Sequence, residues 1–196
     1  SHKLFDKKAE QEYYNMSKDI FVVDTLLLIV RLEEEAQKEH PEKLRYVLRD
    51  LAAESGAFAY EYTGYLANIH SVETYYQANI DMLDLHKFYS LFSPNQKIHT
   101  KVKNEEPTYY APGCEVNTSQ FASGSIVEGK VVRSVVSRNV QIHKDSLVKE
   151  SIVFPRVVIG EGAQVEYAII DKGAEVADGV VIRGTAENPV VIKKGE

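Results

Sequence analysis

The sequence predicts a mixed α/β segment followed by a three-sided β-helix. Three consecutive seventeen-residue blocks, Ser134–Glu150, Ser151–Tyr167 and Ala168–Gly184, fall into register: Val136, Val153 and Ile170 align, as do Ile142, Ile159 and Val176, and as do Val148, Val165 and Ile182. Within a block the aliphatic steps are 6, 6 and 5 residues, which is neither the two-residue period of a strand nor the helical 3.6. A short fixed repeat signals a solenoid, and a step near six places one inward aliphatic residue on each of three faces. The first half of the chain lacks this repeat and carries helix-period and strand-like runs instead.

In chain order, Ile20–Val23 is a β-branched and aromatic run that predicts a strand. Thr25–Gln37 holds Leu26, Leu27, Ile29, Val30 and Leu32 ahead of the acidic Glu33–Glu35, which predicts a helix with Asp24 as N-cap. Glu42–Glu54 puts Leu44, Val47, Leu48 and Leu51 on one helical face, with Pro41 at its start and Gly56 suited to its C-terminus. Ala57–Tyr65, in which Phe58, Tyr60 and Tyr62 alternate with small or polar residues, predicts a second strand. Ser71–Leu85 predicts a third helix with Ser71 as N-cap, and Ser71 with Thr74 is not read as a capping box. Lys87–Tyr110, with Pro94, Pro107 and the extended Lys97–Lys103, reads as the connection between two domains. From Val116 apolar residues recur at positions 121, 126, 131 and 136, in irregular fives, before the regular coils begin. A polar loop, Thr185–Asn188, then leads to a last strand, Val190–Ile192. The expected organisation is a first domain over residues 1–92, a linker over 93–110 and the β-helix over 111–196.

A chain of 196 residues has room for one or two domains with a real core. Its 44% hydrophobic and 27% charged content is that of a soluble globular protein. The net charge of −6 gives no electrostatic case for nucleic acid or an anionic membrane as partner. A single cysteine, Cys114, excludes an intramolecular disulfide and a Cys-cluster metal site. It suits a reducing cytosol, so a cytoplasmic location is expected. The longest apolar run, around Thr25–Val30, is too short to span a bilayer, and no secretory h-region is present. No stretch matches a Walker A or dinucleotide fingerprint. The chain opens Ser1-His2 without methionine, which reads as an expression scar on a fragment. His143 follows the inward Ile142 where later coils have Gly160 and Ala177, and it reads as a solvated turn residue rather than a general base.

Four stretches carry a resemblance. They are Met16–Val23 (MSKDIFVV), Gly64–Leu83 (GYLANIHSVETYYQANIDML), Tyr89–Asn104 and Gly124–Ile182. In this order they resemble the sugar strand "S-M-G-I-Y-V-F", the segment "G-Y-W-R-D-V-G-T-x-x-x-Y-x-x-A-N-x-D-L", the linker and the β-helix of sugar-1-phosphate nucleotidyltransferases. The group in question is the ADP-glucose pyrophosphorylase (glucose-1-phosphate adenylyltransferase) family. Tyr75-Tyr76-Gln77-Ala78-Asn79 followed by Asp81 is the specific part, because hexapeptide coils are shared with acyltransferases. The resemblance implies that residues 1–92 are the C-terminal part of a Rossmann-like nucleotidyltransferase domain and that the solenoid is a left-handed β-helix. The family's Gly-rich nucleotide-binding loop has no match, so the chain reads as the C-terminal half of a longer protein.

Departures from the family pattern shape the functional expectation. The family's "W-R-D-V-G-T" Asp helps to hold the catalytic divalent metal, and the matching positions here are Leu66, Ala67, Asn68, Ile69, His70 and Ser71. A neutral Asn68 lacks the charge that neutralises a hard cation beside phosphates. Ser17 stands where the family has Gly, and Lys18-Asp19 replaces an apolar–aromatic pair. Met16, Ser17 and Asn68 thus mark a degenerate substrate site, with no catalytic residue, no metal ligand and no cofactor in the fragment. The fragment is expected to be inactive, and Mg2+ is expected for a catalytic partner. The resemblance implies a D-type regulatory subunit of glycogen biosynthesis, associated with a catalytic paralogue or with itself. Its β-helix would serve oligomerisation and effector coupling. The family binds sugar-phosphate or nucleotide effectors, which makes the outward corner cations Arg138, Arg156 and Lys172 a candidate anion site beside the plainer reading of surface charge. Two alternatives stand beside this. One is a competent nucleotidyltransferase turning ATP and glucose 1-phosphate into ADP-glucose and diphosphate. The other is a hexapeptide acyltransferase.

Overall fold

In a computed structural model, which describes residues 20–93, 95, 97–101 and 103–195, the seventeen-residue blocks are coils of a parallel β-solenoid. The described residues divide into two compact units that part between Thr63 and Gly64.

In the second unit each face of the solenoid is a five-stranded parallel sheet. The first face stacks β1 (Tyr109–Tyr110), β4 (Ile126–Val127), β7 (Gln141–Ile142), β10 (Val158–Ile159) and β13 (Glu175–Val176). The second stacks β2 (Glu115–Asn117), β5 (Lys130–Val132), β8 (Leu147–Lys149), β11 (Gln164–Glu166) and β14 (Val181–Arg183). The third stacks β3 (Gln120–Phe121), β6 (Val135–Val136), β9 (Ile152–Val153), β12 (Ala168–Ile170) and β15 (Val190–Ile192). This is a solenoid of about four turns, consistent with a left-handed β-helix of hexapeptide type. The aligned aliphatic residues form its interior: Val148, Val153, Ile159, Val165 and Ile170 are all fully buried. Each is worth ~1.5–3 kcal/mol of apolar transfer.

The irregular fives resolve into a shorter coil. Glu115 pairs with Lys130 and Gln120 with Val135, fifteen residues on, whereas Lys130 pairs with Leu147 and Val135 with Ile152, seventeen on. Val127, not Ile126, is the inward residue: Val127 is 0% exposed and Ile126 44%. The expectation at position 126 is corrected by one residue, because Val127 is the one that pairs with the inward Ile142.

Corners are turned by residues in the left-handed region. Arg133, Glu150 and Tyr167 stack in one corner with φ of 46°, 46° and 51°, and Asn139, Arg156 and Gly173 in another with 56°, 61° and 68°. Such φ values are uncommon outside glycine. At the first of these corners the ladder is completed by serines. Ser134 Oγ accepts from the Ser151 N–H at 3.1 Å and donates to the Val132 carbonyl at 2.8 Å. Ser151 Oγ accepts from the Ala168 N–H at 3.1 Å and donates to the Lys149 carbonyl at 2.7 Å. An N–H that would otherwise be buried without a partner is thereby met at each level.

α3 (Val72–Ile80) lies on the third face. Tyr76 and Ile80 pack with Ile152 and Ile169, and Tyr75, Leu83, Phe154 and Tyr167 surround them. The Tyr76 hydroxyl donates to the Glu150 carbonyl at 2.7 Å, and the Gln120 side-chain amide donates to the Met82 carbonyl at 2.6 Å. Ser71 and Thr74 do form a capping box: Thr74 N–H donates to Ser71 Oγ at 3.2 Å, and Ser71 N–H to Thr74 Oγ1 at 3.0 Å. A threonine hydroxyl accepts the N-cap N–H as the longer Glu or Gln would. The single helix expected over Ser71–Leu85 is broken. A 3-10 turn, Asp81–Leu83, leads to Asp84 in an extended conformation, whose carboxylate caps α4 (Leu85–Leu91) by accepting from the His86 and Lys87 N–H groups at 2.8 and 3.3 Å. The stretch expected as a connection from Lys87 thus begins as helix.

In the first unit α1 (Thr25–Ala36) and α2 (Leu44–Glu54) form as expected. Asp24 caps α1 by accepting from Leu26 and Leu27 N–H at 3.0 Å. Gly56, at φ 65°, closes α2, where Ala57 N–H donates to the Ala52 carbonyl at 3.1 Å. Val47 and Leu51 are buried, while Leu26, Ile29 and Val30 of α1 are exposed. Glu35 is buried and accepts from the Glu42 N–H at 2.7 Å and from Lys38 at 2.5 Å, which together hold its carboxyl below the usual range. Ile20–Val23 and Ala57–Tyr65 are not strands. Strand-forming side chains do not make a strand without a neighbouring strand to share a ladder, and Val22 and Phe58 lie open to solvent. The described residues ahead of the solenoid are helical rather than mixed α/β up to Leu91, and they do not display a Rossmann architecture.

Candidate functional site

The tyrosine-rich helix α3 and the elements on either side of it converge on one carboxylate. Asp81 accepts from Lys87 Nζ at 2.6 Å, Gln77 Nε2 at 2.9 Å and the Tyr65 hydroxyl at 3.1 Å. Burial pushes its carboxyl upward, but the bonds from Lys87, Gln77 and Tyr65 outweigh it and leave the pKa below the ordinary value. The Tyr65 phenol is raised by burial and by this bond, and the Tyr76 phenol is raised strongly, first by burial. Asp81 was visible in the sequence as the acid after the Asn79 motif, yet its role as a hub was not, because its partners lie on three separate elements.

Beside the hub an open groove of about 600 Å³ runs between the α3–α4 segment and the solenoid corner at Arg133. Its wall includes Asp84, His86 and Lys87. Arg133 Nε donates to Glu150 Oε1 at 2.6 Å.

The expected site residues are scattered. Met16 and Ser17 lie outside the described residues. Asn68 is exposed in an irregular run, its backbone carbonyl 3.1 Å from His70 Nδ1. Among the described residues no group of three His, Cys, Asp or Glu side chains is arranged to hold a metal ion. A single exposed amide does not by itself fit a hard divalent cation, which takes several oxygen ligands.

Arg138, Arg156 and Lys172 do share one corner of the solenoid. Arg156 N–H donates to the Arg138 carbonyl at 3.0 Å, and Gly173 N–H to the Pro155 carbonyl at 3.0 Å, so their coils stack directly. Arg138 is already engaged by Glu105, 3.3 Å away, whose carboxylate also accepts from Ser123. Arg156 and Lys172 are exposed. His143 is not a bare turn residue, since its Nδ1 lies 3.3 Å from Glu128 Oε2 and its side chain is half-buried.

Stacked parallel coils with left-handed corners and one face covered by a helix define a hexapeptide-repeat solenoid protein. Residues 106–188 match a family described as GlmU-like, C-terminal hexapeptide. The chain is 33% identical over 182 residues to the glycogen biosynthesis protein GlgD of Bacillus subtilis (strain 168), covering 91% of this chain and 52% of that protein. It is 26% identical over 203 residues to the glucose-1-phosphate adenylyltransferase of Corynebacterium jeikeium (strain K411), covering 95% and 50%. It is 28% identical over 200 residues to the enzyme of the same name from Bacillus mycoides (strain KBAB4), covering 98% and 53%. Along nearly its whole length the chain is thus similar to a glycogen biosynthesis protein and to glucose-1-phosphate adenylyltransferases. It spans about half the length of the curated relatives it matches.

Proposed function

We propose that the chain belongs to a regulatory, non-catalytic subunit acting in ADP-glucose synthesis for glycogen. Its solenoid serves oligomerisation and effector coupling, with a catalytic paralogue or a further copy of itself as partner. The observation that carries the reading is the 33% identity to a glycogen biosynthesis protein, taken together with Asn68 at the position of the family's metal-binding Asp. The exposed setting of Asn68 supports it, because among the described residues no group of three His, Cys, Asp or Glu side chains is arranged to make up for the lost charge. Mg2+ then belongs to the catalytic partner. Anionic effectors, sugar phosphates or nucleotides, would be met by Arg156 and Lys172, with Arg138 recruited if Glu105 releases it.

The rigid attachment of α3 to the solenoid gives the coupling a material basis. A ligand that shifts the corner strands also shifts Ile152 and Ile169, and with them Tyr76 and Ile80. Allostery requires such differential contacts in two states.

The test is an ADP-glucose synthesis assay on the full-length protein, alone and mixed with its catalytic paralogue. The expected outcome is negligible turnover alone and a changed response to effectors in the mixture. Robust ADP-glucose formation by this subunit alone overturns the proposal. It would favour the catalytic reading, which rests on relatives named glucose-1-phosphate adenylyltransferase.

A further inference from the structure

One corner of the solenoid carries a cation on four successive levels. Val136, Val153, Ile170 and Ile192 stack on the third face, and Arg138, Arg156, Lys172 and Lys194 follow them around the corner. At roughly 4.8 Å per level the line is roughly 14 Å long, in a chain whose net charge is −6. Among the described residues Arg156, Lys172 and Lys194 make no side-chain ion pair. Asp171, the carboxylate beside Lys172, accepts the Lys172 backbone N–H at 2.7 Å instead. The first level shows what such a cation takes. Arg138 Nε lies 3.3 Å from Glu105 Oε2, which also accepts from Ser123 Oγ at 3.2 Å. Glu105 belongs to an irregular acidic stretch, Asn104-Glu105-Glu106, laid on the corner just before the Thr108 hydroxyl donates to the Ala122 carbonyl at 2.7 Å.

We propose that this corner docks an extended acidic segment of a partner polypeptide, whose carboxylates meet Arg156, Lys172 and Lys194 as Glu105 meets Arg138. A compact anion touches two levels at most, whereas about four extended residues at roughly 3.3 Å each span the line. The carboxylate already seated on the first level, and a net charge that repels nucleic acid, favour a peptide over a phosphate polymer. The inference rests on the reading of the solenoid as an association module and names the surface and the chemistry of the partner. A small effector at Arg156 and Lys172 would compete with the segment, which ties effector occupancy to association.

The experiment is heteronuclear NMR of the 196-residue chain at low salt, titrated in separate arms with hexaglutamate, hexaglutamine and an oligothymidylate of equal length. Expected are saturable shifts at Arg156, Lys172 and Lys194 with hexaglutamate. Arg156→Gly combined with Lys172→Gln should weaken binding about tenfold, the loss of two exposed charge pairs, and glycine suits the left-handed backbone at position 156. Glu105→Gln should tighten binding about threefold, because it releases Arg138. Lys144→Gln and Glu161→Gln make the same charge changes at another corner and should leave the affinity unchanged. An absence of saturable shifts, equal binding of hexaglutamine, an unaltered affinity in the double variant, a Glu105→Gln variant that binds no tighter, or equal effects from the two control variants overturns the proposal. Tighter binding of the oligothymidylate overturns it in favour of a phosphate polymer. The readout involves no catalysis, so it succeeds or fails separately from the ADP-glucose assay.

Discussion

The Tyr76 hydroxyl donates a 2.7 Å hydrogen bond to the backbone carbonyl of Glu150, a residue 74 positions further along the chain and itself in the left-handed region at φ 46°. The bond fastens the middle of α3 to a corner of the solenoid, where the same residue's carboxylate accepts Arg133. Tyr76 is 2% exposed, and this bond is the one its hydroxyl makes. Tyr76→Phe is expected to cost about 1 kcal/mol, and Tyr76→Ala about 3–5 kcal/mol because the ring also fills the space above Ile152. Urea unfolding of the two variants checks both values. A phenylalanine variant as stable as the parent would show that the hydroxyl contributes packing alone.

Arg156 separates charge from backbone conformation. At φ 61° a β-branched side chain is strained, whereas glycine is at ease. Arg156→Gly should leave the melting temperature unchanged or raise it, and Arg156→Val should cost about 1–3 kcal/mol. Thermal melts of the pair decide, and the glycine variant then serves as an unstrained probe of the corner's anion affinity.

Removing Ser151 Oγ leaves the Ala168 N–H without its partner inside the stack. Ser151→Ala is expected to cost about 1–3 kcal/mol, the usual penalty for a stranded buried donor. Amide exchange at Ala168 should accelerate more than at Ile159, which lies on another face of the stack. Equal protection at both amides would mean that another acceptor has moved in.

Acid should loosen the helical segment before it affects the solenoid. The folded pKa of Asp81 is depressed, so its contribution is fully present above the ordinary Asp value of about 3.9 and is lost as pH falls through the lower folded value. Tyr76 works in the opposite sense: its raised phenol favours the folded state below about pH 10, and that contribution is lost as pH rises further. Tyrosine fluorescence followed during an acid titration, with Asp81→Asn as comparison, tests the first half. An acid transition that survives unchanged in Asp81→Asn assigns it to another carboxylate.

Restoring the acid at position 68 should not restore a metal site. Asn68→Asp supplies one carboxylate in an exposed run, and a hard cation needs several oxygen ligands. Calorimetric titration with Mn2+ is expected to show no specific heat, and saturable binding at one equivalent would reverse that conclusion.

The inward columns were readable from sequence because a closed three-sided interior accepts aliphatic side chains at few positions. The fifteen-residue coil was harder. Ile126 and Val127 are both aliphatic, and only the pairing of Val127 with Ile142 tells them apart. α1 and α2 announced themselves through Asp24, Gly56 and a helical period, whereas strands at Ile20–Val23 and Ala57–Tyr65 depended on partners that no local pattern reveals. α4 was hidden by the prolines that follow it. The corner cations were legible as a column, but their neutralisation was not, since Glu105 lies 33 residues before Arg138 in a stretch without periodicity. The groove was illegible for the same reason: Lys87 and Arg133 line it from two unlike elements.

The serine ladder ends at Ala168, and there the chain departs from its usual length. Ala168 pairs with Val190, twenty-two residues on, while Val190 N–H donates to the Tyr167 carbonyl instead of to a side chain. The five extra residues, Thr185–Pro189, leave from that corner without disturbing the pairing of Val165 with Ile182. Perimeter and rise are therefore independent variables in this stack. A coil can lengthen at one vertex while groups on the other vertices keep a spacing of roughly 4.8 Å per level, so surface loops are free to diversify around a fixed vertical scale of charges.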